Sequence, residues 1–158
     1  MNRDAIISDC GVYRYLLQRS WDVRRQAVCF VMLNPSTADA TLDDPTIRRC
    51  LGFASDLGFG QLEVVNLFAL RATDPRMLRQ HPDPTGPEND ALISQAARVC
   101  QMTICAWGNR GKYKDRDKIV LRLLRDNGAV PFALKLTKSG CPSHPLYLPA
   151  NLQPVVMP

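Results

Sequence analysis

Four short apolar runs, separated by stretches whose apolar residues recur at helical spacing, constrain this chain more than any other feature. The runs cover residues 27–33, 62–68, 102–106 and 130–136. A strand that is apolar at nearly every position has both faces covered, so it belongs inside a sheet with helices above and below. Between the runs, Ile47, Leu51, Ala54 and Leu57 mark one helical face. Leu92, Ile93, Ala96, Ala97 and Cys100 mark a second, and Ile119, Val120, Leu123 and Leu124 a third. Strands alternating with helices predict an α/β chain: a three-layer α/β/α arrangement with a mostly parallel central sheet. Gly11–Leu17 alternates and is rich in β-formers, which adds an N-terminal hairpin strand, and the polar stretch 19–26 turns the chain back.

Local punctuation sets the boundaries. Asp44 followed by Pro45 reads as an N-cap with proline at the first helical position, and Gly58 as a left-handed stop. Pro87 is expected to open the second helix and Gly128 to close the third. Asn34-Pro35 ends the first core strand, because proline has no N–H for the ladder. Residues 36–43, 71–86 and 137–148 read as loops, the middle one carrying Pro75, Pro82 and Pro84.

The 158 residues fit one domain, 1–158, with 46% hydrophobic content to fill a core. The six cysteines form no Cys-x-x-Cys pair and sit mostly among apolar residues, which suits free buried thiols in a reducing compartment. Neither a metal nor a dinucleotide cofactor is expected, because ligand spacings and glycine-rich phosphate loops are missing. No leader-like segment opens the chain, and no apolar run nears the roughly 20 residues that span a bilayer. A cytoplasmic protein without a membrane partner is the expectation. The net charge of +5 and pI of about 9.0 lean towards a phosphate-bearing partner, DNA or a nucleotide.

Ligands of open parallel sheets bind beyond the carboxyl ends of the strands. That rule gathers Asn34, Ser36 and Thr37 from the first strand end and Asn66 from the second. It adds Trp107 and Arg110 from the third, and Lys138, Ser143 and His144 from the loop after the fourth. Each has a plainer role open to it. Asn34 before proline suits turn chemistry, Trp107 suits packing, and His144 suits an exposed loop. Asn66, inside an apolar run, must satisfy an amide on burial. The basic series Arg110, Lys112, Lys114, Arg116 and Lys118 is either a solvated face or a phosphate-approaching one. Asp39, Asp43 and Asp44 suit the entrance of a helix, and Asp39 or Asp43 is the nearest general base should the substrate be an unrelated small molecule.

Several strings carry a family resemblance: residues 32–40 (MLNPSTADA), 43–49 (DDPTIRR), 66–73 (NLFALRAT), 86–90 (GPEND), 106–108 (AWG) and 144–148 (HPLYL). Together they are similar to an uncharacterised bacterial and phage family, domain of unknown function 1643. The order of the motifs also resembles, more distantly, the uracil-DNA glycosylase superfamily. Met32–Ser36 stands where that superfamily has Gly-x-Asn-Pro-Gly or Gly-Gln-Asp-Pro-Tyr. Asn66 stands at its base-reading asparagine, Trp107-Gly108 at its Trp-Gly, and His144–Leu148 at its His-Pro-Ser-Pro-Leu loop. The resemblance implies a uracil-DNA-glycosylase-like fold and hydrolysis of an N-glycosidic bond in DNA or a nucleotide. It assigns Asn34 to positioning water, Asn66 to the base edge and His144 to the charge on the departing base. Leu146 or Leu148 would wedge into the base stack, and Phe68 or Tyr113 would stack on the base. Met32 and Ser36 depart from the superfamily pattern, and the histidine loop lacks its serine and second proline. A non-catalytic nucleic-acid or nucleotide binding module is the alternative.

Overall fold

The computed structural model describes residues 1–158. The strands are β1 (Asn2–Ile7), β2 (Arg14–Ser20), β3 (Ala27–Met32), β4 (Gln61–Asn66), β5 (Met102–Cys105), β6 (Pro131–Ala133) and β7 (Val155–Val156). The helices are α1 (Pro45–Asp56), α2 (Asn89–Val99) and α3 (Arg116–Asp126), with 3-10 turns at Pro75–Arg79, Asn109–Asp115 and Pro145–Tyr147. One seven-stranded sheet runs in the order β1-β2-β4-β3-β5-β6-β7.

The four expected core strands do lie side by side and parallel, β4-β3-β5-β6. The sheet as a whole is mixed rather than mostly parallel, because antiparallel strands flank that core at both edges. Two of them escape the apolar-run criterion. β1 is largely exposed and carries Asn2, Arg3 and Asp4, as an edge strand with a solvated face does. β7 has only two residues, both exposed.

β2 lies three residues later than the expected 11–17, and its polar end is strand rather than turn. Arg19 is 1% exposed because its guanidinium is fully engaged: Nε donates to Asp43 Oδ1 at 2.9 Å, and Nη1 and Nη2 donate to four carbonyls. β6 covers only 131–133 of the expected 130–136, since Leu136 leaves the ladder to bridge Pro142. α2 starts at Asn89, two residues after Pro87, because Gly86 sits at φ 88° and turns the chain first.

Two apolar layers sandwich the sheet. Ile47, Cys50, Phe53 and Ala54 of α1 pack on Val28, Phe30, Leu62 and Val64. Ile93 and Ala96 of α2, with Val120 and Leu124 of α3, pack on Cys29, Val31, Val65 and Cys105. Each such aliphatic or aromatic side chain stabilises the fold by about 1.5–3 kcal/mol relative to exposure. The helices begin as their caps dictate: Asp44 Oδ1 accepts from Ile47 N–H at 2.9 Å, and Gly58 and Gly128 end α1 and α3 at φ 89° and 85°. All six cysteines are free, and no helix is long and apolar enough to cross a membrane.

Candidate functional site

A cleft of about 490 Å³ opens at the carboxyl ends of β3, β4 and β5. Asn34, Asn66, Trp107, Arg110 and His144 all line it, brought from four separate chain segments, together with Ser36, Leu146 and the N-terminal end of α1. The backbone ties these segments together. Phe68 N–H donates to Leu33 O, Ala72 N–H to Pro35 O, and Gly108 N–H to Pro142 O at 2.7 Å. Gly108 has φ 73°, a conformation that a side chain would strain, so the turn after β5 requires glycine.

Asn66 is the last residue of β4 and is 1% exposed, yet neither its Oδ1 nor its Nδ2 has a hydrogen-bond partner. An unpartnered buried amide costs about 1–3 kcal/mol, which sets Asn66 apart from the bonded polar groups around it. Its main chain is held from behind by Asn89, whose Nδ2 donates to Asn66 O at 2.9 Å and to Leu67 O at 3.1 Å. Asn89 is the first residue of α2. In the structure it is fully buried and clamps the end of β4.

Asn34 has a different state. Its Nδ2 donates to Pro35 O at 3.0 Å, Leu70 O at 3.4 Å and Ala72 O at 2.8 Å. The amide is thereby fixed, and its Oδ1 is left as the free acceptor. His144 accepts from Leu146 N–H through Nδ1 at 3.2 Å, which puts the proton of the neutral ring on Nε2. Desolvation by the surrounding wall holds its pKa below the ordinary 6.5, with the nearby carboxylate of Asp44 partly opposing that shift. The ring is therefore neutral at pH 7. Arg49 of α1 fixes this loop by donating to Pro145 O at 3.3 Å and to Leu148 O. Trp107 is 3% exposed and wedged against Gly111, where a Cβ would run into the indole.

Other sequence-level candidates lie elsewhere. Phe68 is sealed in the core under Tyr113, ring centroids 5.7 Å apart, and does not reach the cleft. Tyr113 itself stacks beneath Arg79, 4.5 Å from the ring centroid. Neither is a base-stacking residue of this cleft. Thr37, Lys112 and Lys138 are exposed outside its walls, and Ser143 turns its backbone to Lys135 instead. Arg116 is structural: it pairs with Asp90 at 2.8 Å and donates to Leu67 O. Leu148 packs against the α1-side core, whereas Leu146 faces the cleft and Tyr147, 93% exposed, stands clear of the surface beside it. Asp39 and Asp43 are absent from the walls. Asp39 accepts from the Thr41 and Leu42 N–H groups, and Asp43 pairs with Arg3 and Arg19. The carboxylate in the wall is Asp44.

Arg14 is the lining residue that strand reasoning passed over. It is 2% exposed. The signal was present in the sequence, a lone arginine between two tyrosines in an apolar strand, but strict alternation points it away from α1. A β-bulge reverses that: the β1–β2 register steps from Ile6↔Leu16 to Ile7↔Arg14 and skips Tyr15. Bulges re-aim side chains in this way beside functional clefts.

Fold and cleft together define a three-layer α/β protein that presents a ligand-sized, amide-lined cleft at the carboxyl edge of its parallel strands. The chain belongs to the family described as Protein of unknown function (DUF1643), matched over residues 14–146. That span takes in every residue of the cleft and leaves β1 and β7 outside. Neither a curated protein nor a solved structure matches the chain, so the likeness to uracil-DNA glycosylases rests on the sequence motifs alone.

Proposed function

We propose that the cleft binds a nucleobase edge and hydrolyses the N-glycosidic bond that carries it, in DNA or a nucleotide. The observation that carries this reading is the amide of Asn66, buried in the wall with a donor and an acceptor both free. A pyrimidine or purine edge offers the complementary donor and acceptor in one plane.

The remaining walls fit the chemistry. The free Oδ1 of Asn34 accepts from a water and holds it, but an amide is too weak a base to deprotonate it. The water oxygen bonds to the anomeric carbon as the carbon–nitrogen bond breaks, and that bond's electron pair leaves on the base. Nε2–H of His144 donates to the base oxygen on which the charge gathers. The surplus proton of the water passes to solvent, and the base nitrogen takes one up from solvent. Of the two candidate wedges, Leu146 in the cleft wall would meet a neighbouring base, since Leu148 packs on the core.

The test is a screen for free base released from single- and double-stranded DNA carrying altered bases, and from nucleotides, with wild type and His144→Ala in parallel. Base release by wild type, abolished in a folded His144→Ala chain, is expected. Equal release by both proteins, or none by wild type on any substrate, overturns the reading. A second reading, binding without catalysis, draws on the exposed Lys112, Lys114 and Lys118 that flank Arg110. It predicts DNA binding that weakens steeply with salt and releases no base.

A further inference from the structure

The chain buries three arginines, and they are not equivalent. Arg19 pairs with Asp43 and Arg116 with Asp90, and both add carbonyl acceptors. Arg14, 2% exposed, has no ion pair among the six in the molecule. Its single side-chain bond runs from Nη1 to Ala38 O at 3.0 Å, and its Nε is buried without a partner. Burial presses its pKa down to about 10, with Asp44 partly offsetting, so the guanidinium remains charged at neutral pH. A buried charge without a direct ion pair is costly to a fold, and the Asp44 carboxylate in the same wall offsets only part of that cost. Arg14 lies in the wall of the same cleft as Asn66, next to the N-terminal end of α1 at Thr46 and Ile47. That helix end is capped by the Asp44 carboxylate and adds no net positive charge there, so the anion-attracting group of this corner is Arg14 itself.

We propose that Arg14 is an anion-binding residue, and that the ligand whose base meets Asn66 is a free nucleotide with its terminal phosphate against the Arg14 guanidinium. The planar fork of an arginine with four N–H groups unused matches phosphate oxygens. A free nucleotide is favoured over a phosphodiester inside a strand because a residue so deeply buried is reached by a group that ends, not by one whose chain must leave the cleft in two directions. The base assignment rests on the function proposed above; the anion seat stands on Arg14 itself.

The experiment measures binding of nucleoside 5′-monophosphates, the matching nucleosides, inorganic phosphate and a short single-stranded oligonucleotide to the full chain, by calorimetry. Base release is assayed on the same samples. Wild type should bind at least one monophosphate about tenfold or more tighter than its nucleoside, the factor expected of a charge-assisted hydrogen-bonded pair. Inorganic phosphate should compete. Arg14→Gln should erase the difference while leaving nucleoside binding in place, and Arg14→Lys should restore part of it. Should Arg14→Gln unfold, the wild-type Arg14 Nε–H resonance, free of any acceptor in the structure, still reports: it must shift when the monophosphate is added. Equal binding of nucleoside and monophosphate, an unmoved resonance, or a phosphate preference that survives Arg14→Gln overturns the proposal. Arg14-dependent binding of the oligonucleotide but of no monophosphate also overturns it. Base release without a phosphate effect would sink this inference and spare the glycosidic reading; a phosphate effect without base release would do the reverse.

Discussion

At the scale of single residues, the cleft is defined by groups whose bonding is left incomplete. Asn66 and Arg14 are both nearly inaccessible, and both keep polar atoms without partners. Such groups work against stability, which makes a clear expectation. Asn66→Leu should raise the unfolding free energy by about 1–2 kcal/mol, read from denaturant titration, while abolishing ligand binding, because an apolar side chain removes two orphaned polar atoms. A loss of stability instead would mean that the amide has a structural partner. His144 gives a second expectation. Its pKa in the fold lies below 6.5, so the neutral ring predominates above that value, and the loop contact from Leu146 N–H to Nδ1 is intact there. As the pH falls through the folded pKa, Nδ1 gains a proton and that contact is lost. Ligand binding should therefore be flat from pH 8 to about 6.5 and decline below it. A profile that stays level well into the acid range would remove His144 from the site. Asn34, Asn66, Trp107 and His144 were each legible in the sequence as strand-end residues. Arg14 was not, because a single inserted residue at Tyr15 changes which face it serves, and period-two reasoning has no means of registering the insertion.

Secondary-structure elements show where periodicity suffices and where it fails. β3, β4 and β5 and the three helices follow from apolar runs and caps, since their burial on two faces leaves an unmistakable pattern. β1 does not, because an edge strand with polar residues looks like coil in sequence and becomes a strand only through pairing with β2. That pairing, with β2–β4 and β6–β7, makes the sheet mixed. Phe68 shows the same limit at the site: sequence places it two residues beyond Asn66, but only packing decides that it enters the α2–α3 side of the core. The loop that holds His144 is a further case. Its position comes from α1, through Arg49, which also stacks on Phe53 at 5.1 Å. Arg49→Ala should leave the sheet intact, lower stability by about 1–3 kcal/mol, and speed amide exchange at residues 146–148. Unchanged exchange would assign the loop's order to other contacts. At the N-terminus of α1, Asp44→Ala should cost about 1 kcal/mol through the lost cap.

For the molecule as a whole, the two apolar layers share one sheet, and the antiparallel and parallel portions meet at the β2–β4 pair. A single unfolding unit is the expectation. The two tryptophans report on the two portions, Trp21 following β2 and Trp107 following β5. Trp21→Phe and Trp107→Phe chains, each with one remaining fluorophore, should melt with coincident transitions once corrected for their own stabilities, and separate transitions would divide the domain. One architectural fact reaches further. The cleft draws Arg14 from β2 and His144 and Leu146 from the loop that precedes β7, with every other wall residue in between. A nascent chain on the ribosome thus presents Arg14 long before His144 and Leu146. Until residue 146 has been made the cavity lacks a wall, and a product terminated before that point would be inert rather than half-active.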